Sequence, residues 1–83
     1  MAVLHNVGAQ IEKIDQQILN LIEQRVALWQ EAVEEDPEAL TAEHDAEAIL
    51  FWVSEAEHRG FDEAGAERVG KAVISLCRKM GES

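Results

Sequence analysis

Between Leu4 and Ala32 the chain places a side chain on one helical stripe at every third or fourth position: Leu4, Val7, Ile11, Ile14, Ile18, Leu21, Arg25, Leu28 and Ala32. Residues at that spacing share one face of an α-helix, and a face this apolar has to be buried. No proline interrupts the segment, and Gln, Glu, Leu and Ile favour helix, so one long helix is predicted from about Val3 to Val33. A flanking row, Leu19, Ile22, Val26 and Trp29, widens the apolar face in the C-terminal half, which is therefore expected to meet two neighbours. At ~1.5 Å per residue, a helix of about thirty residues spans roughly 45 Å. A compact chain of 83 residues has a radius of gyration near ~12 Å by the usual scaling. The helix outruns any globule the chain can build alone, and a second copy is the simplest cover for its N-terminal half.

Arg25 is the one charge in this seam. Arginine is rarely buried without a partner, and an unpaired guanidinium in low dielectric costs several kcal/mol. Two arrangements satisfy it. Either a carboxylate such as Glu47 or Glu55 reaches it from a neighbouring helix, or it faces a cavity that receives an anion.

Residues 1–83 are read as a single domain, and a core of this size is marginal without staples or a partner chain, which again favours self-association. Seven Lys and Arg against seventeen Asp and Glu give a net charge of −10. Such a field repels nucleic-acid phosphates and anionic lipid heads, so neither nucleic acid nor membrane is expected as a partner. Cys77 is the only cysteine and cannot form an internal disulfide. No apolar run approaches the length of a membrane span and the N-terminus has no leader-like pattern, so a cytoplasmic location is expected.

Glu34-Glu35-Asp36-Pro37 ends the first helix, because proline disfavours helical geometry in the residue before it and fits the first turn of a new helix capped by Asp36. From about Glu38 or Thr41 the pattern Ala42, Ala46, Ile49, Leu50, Val53 and Ala56 marks a second helix, ending at Arg59-Gly60. Asp62 caps a third, with a buried row of Val69, Ala72, Val73, Leu76 and Met80, Ile74 and Cys77 beside it, and Gly81 as its end. No strand pattern is present, and the expected fold is all-α with three helices. Adjacent Phe51 and Trp52 cannot both face inward, so one of them belongs at a contact or an exposed patch. His44 and His58 lie about 21 Å apart along a helix axis and cannot share an ion within one chain. No metal site is assigned to them or to His5, and no cofactor is expected. Cys77 reads as a small core residue, and Lys71, Arg78 and Lys79 as a solvated helix face.

The run Ile11-Glu12-Lys13-Ile14-Asp15 through Ile18-Leu19, Leu21-Ile22 and Arg25, followed by two shorter helices joined by an Ala-x-x-x-Gly-aromatic turn, resembles the all-helical (type II) chorismate mutases over nearly the whole chain. The resemblance implies an intertwined homodimer interlocked through the long helix, with two active sites. It also implies a pericyclic rearrangement of chorismate to prephenate, in which the protein forms no covalent bond and works by positioning and electrostatics. Arg25 stands where the family places an arginine that grips a substrate carboxylate, and it is the candidate ligand-binding residue. The family's other cationic and polar positions fall on Gly8, Asp36, the pair Asp45 and Ala46, Cys77 and Gly81, none of which can do the same work.

If each missing charged hydrogen bond is worth ~1.5 to 3 kcal/mol, three or four of them remove on the order of 5 to 10 kcal/mol of transition-state stabilisation, several powers of ten in rate. The expectation is a chorismate mutase-like dimer without the chemistry, binding a partner protein or a small dianionic carboxylate ligand, with no residue assigned as catalytic. The alternatives are an active mutase, or a related lyase, with an atypical site, and a purely structural dimerisation module. An enzyme requires at least two further cations converging with Arg25 on one cavity. A binding protein leaves Arg25 neutralised or its cavity closed.

Overall fold

The computed structural model describes residues 2–38 and 40–82, with side chains from 6 to 81 apart from residue 39; Leu4 of the seam and the His5 ring lie outside the described side chains. Three helices follow one another: α1 (Ala2–Glu35), α2 (Ala42–Arg59) and α3 (Glu63–Glu82). Local chemistry sets most of their ends. The Thr41 hydroxyl accepts from the His44 amide at 3.3 Å and caps α2. At the other end Gly60 takes a left-handed φ of 73°, Phe61 N donates to Ala56 O at 2.8 Å, and Gly60 N donates to Glu57 O at 3.4 Å. That paired closure needs a residue free of the Cβ penalty at Gly60. The Asp62 carboxylate then accepts from the Gly65 amide at 2.7 Å and starts α3.

Two predicted boundaries are corrected. Asp36 does not cap a helix beginning at Pro37: its carboxylate accepts from the Glu38 amide at 3.1 Å in a local turn, and α2 waits for Thr41. Gly81 does not end α3 but lies inside it.

α3 is the middle element. Arg25 faces Cys77 and Trp29 faces Gly81, one turn further along both helices, so α1 and α3 run in the same direction. Asp45 faces Arg78 and Trp52 lies over Gly70, so α2 returns antiparallel. α1 and α2 each contact α3 and, among the described residues, do not contact one another. The core is small: Ala56, Val73, Ile74 and Cys77, with Gly70 under Trp52.

The rows that close this core differ from those expected. On α1 the flanking residues Ile22, Val26 and Trp29 are half-buried with Arg25, while Leu21 and Leu28 of the main seam are exposed. On α3 the buried set is Val73, Ile74 and Cys77, and Val69, Ala72, Leu76 and Met80 are exposed. On α2, Leu50 and Phe51 are exposed and Trp52 is the aromatic that turns toward α3. Each helix carries more apolar surface than its neighbours within one chain can cover. The 34 residues of α1 are about 51 Å long at ~1.5 Å per residue, close to the 54 Å longest dimension. The radius of gyration is 15.7 Å, well above the compact value, because the N-terminal half of α1 projects from the bundle.

Candidate functional site

Arg25 is placed by α1 against the middle of α3. Its Nη1 donates to Cys77 Sγ at 3.0 Å, and Cys77 is fully buried beneath it. Sulfur is a weak acceptor. Neither expected carboxylate arrives: Glu55 pairs with Arg59 on its own helix at 3.0 Å, and Glu47 makes no ion pair among the described residues. Arg25 is thus half-buried with most of its donors uncommitted to an anion.

One turn along α1 stands Trp29. Its six-membered ring lies against the backbone of Gly81, so closely that a Cβ built there would overlap ring carbons. The space a longer residue at Gly81 would fill is taken by the indole. Arg78 completes this end of the bundle. Its guanidinium carbon sits 5.7 Å from the centre of the Trp29 ring, a cation–π distance. Its Nε donates to Asp45 Oδ2 at 2.7 Å, its Nη2 pairs with the same carboxylate, and Nη2 also donates to the Leu40 and Thr41 carbonyls at 3.3 and 3.5 Å. Arg78 therefore ties together α1, α2 and the segment between them. The expectation of a solvated face fails for Arg78, because α3 carries it to a carboxylate on α2. For Lys71 it stands: the ammonium is exposed and pairs with Glu67 at 2.8 Å. The Glu67 carboxyl is held below its ordinary range, first by the hydrogen bond from Lys71 and then by that residue's charge.

Two concave surfaces flank the α2–α3 pair. One is a groove of about 600 Å³ with Ala42, Ala46, Ile49 and Ile74 as its apolar floor, and Lys71, Ser75, Lys79, Arg78 and Asp45 around them. The other, about 380 Å³, lies near the turn between the two helices, where Phe51, Trp52, Phe61 and Val69 surround Ala56 beside the Glu55–Arg59 pair. Arg25 lines neither. Lys71, Arg78 and Lys79 line the first groove, which Arg25 does not reach. Among the described residues no carboxylate pairs with Arg25.

His44 is exposed, and the His58 ring nitrogen lies 2.9 Å from the Ser54 carbonyl. No group of three or more metal-binding side chains gathers among the described residues. No helix among them is long and apolar enough to cross a membrane. Sequence reasoning missed the Trp29–Gly81 contact and the Arg78–Asp45 pair. Trp29 on the apolar face and a glycine late in α3 were visible signals, but nothing in the spacing joined them.

The family model for chorismate mutase type II matches residues 7–82. No curated protein and no solved structure matches the chain.

Proposed function

The chain belongs to the chorismate mutase type II family, and from that membership we propose that it is a homodimer that keeps the fold, lacks mutase turnover, and binds a small dianionic carboxylate or a partner protein. The observation that carries this reading is the state of the positions where the resemblance places cationic and polar contacts. Asp45 stands in place of a cation and is bonded to Arg78, and Gly81 stands in place of a polar side chain with its space filled by Trp29. A substrate carboxylate arriving there meets an indole and a guanidinium already committed to Asp45, not the free cation and polar side chain that the resemblance implies. With three or four charged contacts gone, the loss of about 5 to 10 kcal/mol of transition-state stabilisation follows from ~1.5 to 3 kcal/mol for each.

The homodimer is supported by the apolar stripe of α1. Val7, Ile11, Ile14, Ile18 and Leu21 are 43 to 62 % exposed, and α3 adds Val69, Ala72 and Leu76. A continuous apolar surface of this length on a soluble chain marks an interface. A two-fold arrangement lets each α1 lie on the other copy.

A second reading, an active mutase or related lyase with an atypical site, is favoured by Arg25 alone, whose guanidinium meets no carboxylate among the described residues. The loss of chorismate absorbance separates the two. Purified protein is assayed alone and again with extract from cells that lack their own mutase. We expect no turnover above background by the protein alone. Turnover at a rate typical of enzymes overturns the proposed loss of chemistry, and turnover only with extract points to a site completed by a partner protein.

A further inference from the structure

An acidic chain that binds an anion must first collect its cations in one place. Of the seven Lys and Arg, three line the α2–α3 groove. Lys71, Ser75 and Lys79 stand at successive i, i+4 positions along one face of α3, which places the two lysines about 12 Å apart along the helix axis. Asp45 is the only carboxylate among the lining residues, and it is engaged by Arg78 rather than by either lysine. Lys79 has no ion-pair partner among the described residues, and the Lys71–Glu67 contact is an exposed pair that solvent screens. The floor between the lysines is apolar: Ala42, Ala46, Ile49 and Ile74. Its volume of about 600 Å³ is large enough for a small molecule, which would lie along an open groove rather than inside a closed pocket.

We propose that this groove binds a small molecule with an apolar body and an acidic group at each end, the body lying on Ile49 and Ile74 and the acids meeting the ammonium groups of Lys79 and Lys71, with Ser75 as a hydrogen-bonding donor between them. This deepens the ligand reading above and rests on it for the presence of a ligand, but it moves the anion contacts from Arg25 to α3. Arg78 stays paired with Asp45 and the two charges offset, so the net positive charge offered to the ligand is that of the lysines. The lysines are point charges on flexible stems, so they select for charge and length rather than for a planar, two-pronged fit.

The probe is benzene-1,4-dicarboxylate, titrated at low ionic strength into the full ¹⁵N-labelled chain while amide shifts are followed, with 1,4-benzenedimethanol as the uncharged control. Saturable shifts are expected at Ala46, Ile49, Ile74 and Ser75, with little response to the diol. The double variant Lys71→Gln/Lys79→Gln should weaken binding by ~10-fold or more, as loss of charge-assisted contacts requires, whereas Arg25→Leu should leave it within about twofold. Both variants change partly exposed side chains, and the same spectra report whether they fold. Absence of saturable shifts, equal binding of the diol, or shifts centred on Trp29 that vanish in Arg25→Leu would each overturn the assignment. The dicarboxylate cannot react, so these outcomes are independent of whether chorismate is turned over.

Discussion

From Ile22 to Val33, α1 lays Ile22, Arg25, Val26, Trp29 and Gln30 against α3, and Gln30 Nε2 donates to the Met80 carbonyl at 3.1 Å. From Val7 to Leu21 the same helix, with the same apolar repeat, keeps every one of its seam side chains exposed among the described residues. Periodicity alone does not separate these halves. The difference lies in length: α3 has 20 residues and α1 has 34, so part of the seam has no intramolecular partner to find. One helix thus contains a region whose burial is local to the fold and a region whose burial requires another molecule.

Charging the open half should give the largest effect. Ile11 and Ile18 are each about half exposed. If a second copy completes their burial, two residues on each of two chains contribute about 3 to 6 kcal/mol, half of the value for full burial. Ile11→Asp combined with Ile18→Asp should then raise the dimer dissociation constant by ~10² to 10⁴-fold, measured by sedimentation equilibrium. An unchanged constant would mean that this half is not the interface.

A single substitution made at two places sharpens the contrast. Gly81→Ala drives a methyl into the Trp29 ring and should destabilise the chain by ~1 to 3 kcal/mol, the usual cost of overpacking. Gly8→Ala meets open space within the chain and should gain up to about 1 kcal/mol from helix propensity. Denaturant unfolding of both variants checks the opposite signs, and equal effects would erase the distinction between the two halves.

Arg25→Leu tests the packed half at its one charge. With a sulfur atom and no carboxylate as partner among the described residues, removal should change the unfolding free energy by less than about 1 kcal/mol, or improve it. A loss of ~3 to 5 kcal/mol would reveal a buried ion pair. The smallest effect belongs to Glu67. Its folded carboxyl titrates below the ordinary 4.5, so the stability it contributes is present above that value and is lost as pH falls through the depressed one. Glu67→Gln should slightly flatten the acid side of the stability profile, seen by comparing denaturation midpoints at neutral and acidic pH.

Local signals carried much of the fold. The unbroken repeat of α1, the left-handed Gly60 and the Asp62 cap are all decided within a few residues of sequence, and each is where the pattern places it; the start of α2 falls at the later of the two expected positions, Thr41. Asp36 misled because the same carboxylate that can cap a helix can also close a turn on Glu38. The choice of packing row was not legible. Leu21 and Val26 are equally apolar, and only the position of α3 decides which of them is covered. Arg25 was legible as an anomaly, whereas its sulfur partner lies 52 residues away and has no local signature. The Asp45–Arg78 pair was hidden for the same reason. It joins two helices whose charges, read separately, suggest only solvated faces.

Sedimentation of the unmodified chain across a range of concentrations tests most directly whether the open half of α1 is an interface. The expected species has twice the 9.2 kDa mass of one chain, persisting to micromolar concentration with full helical content. A folded, helical species at the mass of a single chain, with the seam from Val7 to Leu21 facing water, would contradict it.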